Sequence, residues 1–241
     1  AALKYAAVQK DAVIVAAAGN NRGGLATGSA CESNPLTDPA RPGDPRNWAG
    51  VTSVSIPSWW QPYVLSVGSL TASGQPSEFT MTGPWLGIAA PGENIVSVSN
   101  GPGGALANGL PNDQLEMFPI SGTSYAAAYV SGVAALVRSK FPDLTAAQVM
   151  HRITATARGA ARSPSNLVGA GSVDAVAALT WDVPETPGPD PAAVRQVAAP
   201  PTPPPADNVP RNVALIGTAA LTLATLGAVA IGAHRRKDTT S

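Results

Sequence analysis

Ser121-Gly122-Thr123-Ser124-Tyr125-Ala126-Ala127-Ala128-Tyr129-Val130-Ser131-Gly132 opens the segment whose reading decides the fold. From Ser124 to Phe141 the only internal glycine is Gly132, and Val130, Val133, Ala134 and Val137 recur at helical spacing. The pattern stops before Pro142, as it must where a proline pushes the preceding residue out of the helical region. The segment reads as a buried helix. Its first turn carries a serine, at a place where unpaired amide donors and the helix dipole favour negative charge on a reacting oxygen. The alanines after it permit close approach. Gly-Thr-Ser also serves as an ordinary helix cap, so the local pattern leaves both readings open.

Upstream, Val13 to Ala17 is a short apolar run that ends in the turn Gly19-Asn20-Asn21, and Tyr63 to Val67 is a β-forming run that ends at Gly68. Short runs of this kind suit strands buried on both faces. Ile88-Ala89-Ala90 meets Pro91-Gly92, and Ile95 to Val98 reads as a further strand before the glycine-rich stretch Gly101 to Gly109. Downstream, Thr145 with Gln148 three residues on forms a capping box for a second helix through about Ala157, with Val149 and Ile153 on one face. Strands alternating with helices argue for an α/β layered fold.

Charged residues make up 12% of the 241, with 15 basic and 15 acidic. That balance gives no electrostatic footprint for nucleic acid. No His/Cys/carboxylate set has metal-ligand spacing, so neither a metal nor a cofactor is expected. Ala1 to Lys10 reads as an amphipathic helix and not as a signal peptide, and the protein is expected to begin upstream of it. Cys31 is the single cysteine; an odd cysteine points to a partner elsewhere or to a free thiol, and a disulfide to a cysteine outside this chain is expected. Trp48, Trp59 and Trp60 sit beside Pro57 and Pro62 and fit either loop anchors or an exposed patch.

Val183 to Pro210 holds ten of the 24 prolines and almost no large apolar residue, which predicts an extended spacer. Val213 to Ala233 then runs 21 residues without a charge, about 31 Å as a helix and so long enough for a hydrocarbon core. His234-Arg235-Arg236-Lys237 comes directly after it, while Arg211 is the nearby cation on the other flank. The positive-inside rule puts the C-terminus in the cytoplasm and the folded region outside.

Gly122-Thr123-Ser124 with Ala126, followed by Val130-Ser131-Gly132, resembles the nucleophile signature of the subtilases. Val15 to Asn20 resembles the strand and loop that present that family's oxyanion asparagine, Ala89-Ala90-Pro91-Gly92 its Ala-Pro-Gly element, and Gly169 to Ala175 its closing segment. Most subtilases have proline at the position of Ala128; the alanine here, the stretch Cys31 to Trp48, Phe141 to Thr145, Ile153 to Arg158 and the proline linker with its terminal helix resemble the mycosins, membrane-anchored subtilases of type VII secretion systems.

The resemblance implies the C-terminal half of a subtilisin-like fold, a parallel sheet flanked by helices, over residues 1–182. A linker over 183–212, a transmembrane helix over 213–233 and a cytoplasmic tail over 234–241 would complete the chain. It implies a serine endopeptidase with Ser124 as nucleophile and Asn20 as oxyanion donor, and with Ala17, Ala18 and Gly19 beside the pocket for the residue before the cut. Its partners would be a protein or peptide substrate and the membrane components of a type VII secretion system, and the protein would be a single-pass membrane protein with an extracytoplasmic peptidase domain. The alternatives are a structural stabiliser of that complex and an inactive fragment. The triad's aspartate and histidine lie earlier in the family, and neither His151 nor His234 matches the family's histidine.

Overall fold

The apolar run ahead of Gly19 forms strand β1 (Ile14–Ala17), and the run through Leu70 forms β2 (Val64–Leu70). In this computed structural model β1 and β2 pair in parallel, β2 pairs in parallel with β3 (Leu86–Pro91), and β3 with a short strand over Gly171–Ser172. The structure describes residues 1–21, 32–101, 103–112, 114–159 and 164–184, together with Thr218. Cys31, the linker beyond Pro184 and all of the expected span except Thr218, which is helical and exposed, lie outside them. Among the described residues no helix is long and apolar enough to cross a membrane. Two compact units divide the chain, Ala1–Ala198 and Ala199–Ser241; the sheet and the helices packed on it belong to the first.

A helical turn, α1 (Ala2–Lys4), widens over Tyr5–Gln9 before β1. After β3 come two antiparallel ribbons, β4 (Ser97–Val98) with β5 (Leu106–Ala107), and β6 (Gly109–Pro111) with β7 (Met117–Pro119). The Ile95 to Val98 run was expected as one strand; only its end pairs in a ribbon, and Ile95 makes an isolated bridge to Ile120. Helices α2 (Thr123–Lys140) and α3 (Ala146–Ala155) come next, then β8 (Arg158–Gly159), β9 (Gly171–Ser172) and α4 (Ala175–Thr180). The sheet order is β1-β2-β3-β9-β8. β8 runs antiparallel to β9, so the sheet is mixed and not wholly parallel as expected. An antiparallel neighbour needs no crossover helix between the two strands.

α2 packs across β1, β2 and β3. Ala126, Val130, Val133, Ala134 and Val137 face Leu65, Val67, Ile88 and Ala90, and Val149, Ile153 and Ala178 from α3 and α4 close the same core. Each fully buried Val or Ile there contributes about 1.5–3 kcal/mol. The other face of β2 is buried as well. A Cβ added to Gly68 would meet Thr80 at 3.3 Å and the Leu167 carbonyl at 3.5 Å, which is how closely the covering segments approach. Trp48 packs edge-on against Trp59, and Trp59 against Trp85. Trp48 and Trp59 are therefore anchors, while Trp60 is 48% exposed.

The capping box at α3 forms as expected, with Thr145 and Gln148 bonded reciprocally. The structure adds a carboxylate that the sequence pattern did not single out. Asp11 Oδ1 accepts from the Ala146 amide at 2.6 Å, and its Oδ2 lies 2.5 Å from Arg138 on α2. Burial alone would raise the Asp11 pKa, but the Ala146 amide and the Arg138 guanidinium outweigh it and hold the carboxyl below its usual 3.8. A depressed folded value means the stabilisation is fully present above the unfolded pKa and is lost as pH falls through the folded one. Asp11→Asn is therefore expected to lower stability at pH 7 by about 1 kcal/mol, a cap plus a solvent-screened pair. Urea midpoints of the complete protein should show the gap from wild type closing as the pH drops below the carboxylate range; a constant gap would contradict the assignment.

Candidate active site

α2 begins at the C-terminal edge of the parallel strands, where open α/β sheets place their ligands. β1 ends at Ala17, and the chain turns through Gly19, at φ +100, into Asn20. Asn20 makes an isolated bridge to Thr80, and the Asn21 amide donates to the Phe79 carbonyl at 2.8 Å, so the turn is held from its far side. β3 ends in Pro91, and the Gly122 amide donates to the Gly92 carbonyl at 2.8 Å. A Cβ at Gly92 would stand 2.9 Å from the Gly122 carbonyl oxygen. The glycine of the Ala-Pro-Gly element thus lets the start of α2 approach the end of β3.

The decisive contact joins residues 103 apart. Asn20 Oδ1 accepts from the Thr123 amide at 3.1 Å and from the Thr123 hydroxyl at 2.9 Å. The amide is a donor only, so the atom facing it has to be the side-chain oxygen, and Asn20 Nδ2 is turned away from that contact. Gly122, the helix N-cap, supplies no side-chain cap; Asn20 fills that part from another element. Thr123 is 1% exposed. No sequence pattern pointed to Thr123 as the residue that fixes the Asn20 side chain, because the partner lies in another segment.

One residue on, Ser124 is exposed. Among the described residues nothing hydrogen-bonds its hydroxyl, its backbone N–H or Asn20 Nδ2. An exposed hydroxyl at the first turn of a helix, next to two donors left without partners, is an arrangement that can receive a carbonyl and hold negative charge on its oxygen. Ala17 and Gly19 are partly exposed, whereas Ala18 is fully buried, its amide donating to the Val67 carbonyl at 2.9 Å. Any wall that Ala18 adds to a pocket is therefore backbone. Among the described residues no group of three His, Cys, Asp or Glu could hold a metal. His151 is partly buried on α3 and lines a separate pocket with Phe141, Gln148 and Asp182.

Comparison with known proteins bears on the same span. Residues 1–171 match the model of the subtilase family. The chain belongs to the subtilase family. This subtilase chain is 63% identical over 242 residues to mycosin-3 of Mycobacterium tuberculosis, an alignment covering 99% of it and 52% of that relative. The chain thus spans about half the length of the curated relatives it matches. Among solved structures it resembles the MycP3 protease from the type VII (ESX-3) secretion system, at 75% identity and TM-score 0.68, over 75% of this chain and 47% of that one. It also matches a chain in the intact ESX-5 inner membrane complex, at 47% identity and TM-score 0.70, over 96% of this chain and 51% of that one. The fold is that of a subtilisin-like α/β domain.

Proposed function

We propose that this chain forms the nucleophile-bearing half of a mycosin-like serine endopeptidase of a type VII secretion system. The observation that carries the reading is the Asn20–Thr123 contact, which brings an asparagine amide to the helix turn where Ser124 is exposed. In this reading Ser124 Oγ attacks the scissile carbonyl. The developing oxyanion is held by the Ser124 N–H and Asn20 Nδ2, donors already oriented before the reaction. A general base must take the hydroxyl proton; that base is assigned to the part of the protein that the relatives have and this chain does not span. Ala17 to Gly19 border the residue before the cut.

The anchor belongs to the same proposal. It is supported by the 21 uncharged residues of 213–233 and the cationic stretch after them, which make the peptidase domain extracytoplasmic and the tail cytoplasmic. Cys31 would pair with a cysteine outside this chain. A second reading, in which the domain also stabilises a membrane assembly, is favoured by the similarity to a chain within the ESX-5 inner membrane complex. The partners are then the membrane components of such a system.

A fluorophosphonate probe tests the reading. In the complete protein it is expected to label Ser124, with Ser124→Ala abolishing the label, and the labelled protein should stay with membranes through carbonate extraction. Labelling elsewhere would overturn the nucleophile, and release by carbonate would remove the anchor.

A further inference from the structure

Beside the start of α2 lies an open cleft of about 840 Å³. Its lining includes Ser121, three residues ahead of Ser124, and Asn94, whose amide donates to Ser121 Oγ at 3.1 Å. Another wall is Phe79, whose carbonyl accepts from the Asn21 amide next to Asn20. The cleft therefore adjoins both segments that carry the candidate chemistry. Phe118, on β7, is 41% exposed and forms a further apolar wall.

Two carboxylates face this space, Glu78, which is exposed, and Glu93, which is partly buried. Neither makes an ion pair or side-chain hydrogen bond among the described residues, in contrast to Asp11, Asp38 and Asp174, each paired with an arginine. No Lys, Arg or His is among the described residues that line the cleft. The whole chain has no net charge, so the negative potential here is local, and cleft walls of low dielectric concentrate it. Long cationic side chains match such a surface. Their methylene stems lie on aromatic rings while the charged head reaches carboxylates or a ring face.

We propose that this cleft receives a lysine or arginine side chain of the peptide being cut, within a few residues of the scissile bond, and that Glu78 and Glu93 select it. The inference rests on the hydrolase reading above and adds to it a substrate class, a peptide with a basic residue flanking the cut. The expected preference is modest, roughly three- to tenfold in kcat/KM, the range that one or two solvent-exposed ion pairs supply.

The test uses the complete protein and pairs of peptides that differ only by Lys or Gln at one position, scanned over four positions on each side of the cut. One position is expected to favour Lys, with the preference shrinking as salt rises because exposed pairs are screened. The Lys/Gln ratio at that position should fall to near one in the Glu78→Gln/Glu93→Gln double variant and below one in the Glu78→Lys/Glu93→Lys double variant. A wild-type ratio near one at every position overturns the inference while turnover of the Gln peptides keeps the hydrolase reading; so does a preference that persists in either double variant. Should the variants not fold, the wild-type scan and its salt dependence decide alone. No turnover of any peptide and no label on Ser124 would overturn both readings.

Discussion

Asn20→Ala in the complete protein is expected to lower kcat by roughly 10²–10³, about 3 to 4 kcal/mol of transition-state stabilisation; the figure is carried over unchanged from the corresponding asparagine of subtilisin, where removing one oxyanion donor has that effect. KM should change little, because the Nδ2 hydrogen bond strengthens only as charge develops on the carbonyl oxygen. The variant also removes the acceptor of the two Thr123 bonds, at 3.1 and 2.9 Å, and so leaves the buried Thr123 hydroxyl and its amide unpaired. Some loss of stability should accompany the loss of rate. Asn20→Asp separates the two, since it keeps an acceptor toward Thr123 while removing the outward donor: stability is expected to recover toward wild type and kcat is not. Full turnover in either variant would mean that Asn20 does not hold the oxyanion. Steady-state kinetics on a peptide substrate together with urea unfolding make both measurements.

Gly169→Ala is expected to be strongly destabilising. Gly169 sits at φ +59, and a Cβ there would fall well inside contact distance of the Gly87 carbonyl and 2.5 Å from the Ile88 nitrogen. These are backbone atoms of the central strand β3, which cannot swing aside as a side chain does. The adjacent Ala170 amide already donates to the Gly87 carbonyl at 2.8 Å, so relief costs a hydrogen bond between β3 and the segment entering β9. A left-handed backbone at a non-glycine residue costs about 1–2 kcal/mol, and forced repacking of a tight site costs about 1–3 kcal/mol more. The expected sum, about 2 to 5 kcal/mol, is a large share of the roughly 5–15 kcal/mol that holds a domain together. Gly74 provides the control, with φ +78 and open space around its missing Cβ. Gly74→Ala should show the backbone cost alone, about 1–2 kcal/mol. Equal midpoints for the two variants in urea would show that the crowding against β3 is absent.

The elements most legible in the sequence are those with a strong local period or a local cap. Val130, Val133, Ala134 and Val137 mark α2 to within a residue at each end, and the Thr145–Gln148 box marks the start of α3. Of the two ribbons between β3 and α2, only β4 was legible, as the end of the Ile95 to Val98 run; β5, β6 and β7 were not. These strands are two or three residues long and largely exposed, so no alternation of buried and exposed side chains marks them. They set the Phe118 wall of the cleft, which explains why the cleft and its two glutamates went unread as well. Asp11 was likewise silent, because its partners Arg138 and Ala146 are more than a hundred residues away.

Ser124 and Asn20 stand out in the sequence only as separate motifs, each on its own strand–turn or turn–helix signal. The apolar runs, the helix period, the proline-rich spacer and the 21 uncharged residues are likewise properties of contiguous segments, and local sterics and solvation encode them without reference to the rest of the chain. The tertiary structure decided what no segment contains: that the Asn20 carbonyl oxygen meets Thr123 across 103 residues, that β8 joins the sheet antiparallel, and that two unpaired glutamates come to face one cleft. Such contacts form when the sheet closes long loops and α2 buries one face against β1 to β3. Their geometry is set by packing among several elements at once, and the pattern of any one of them is compatible with many partners.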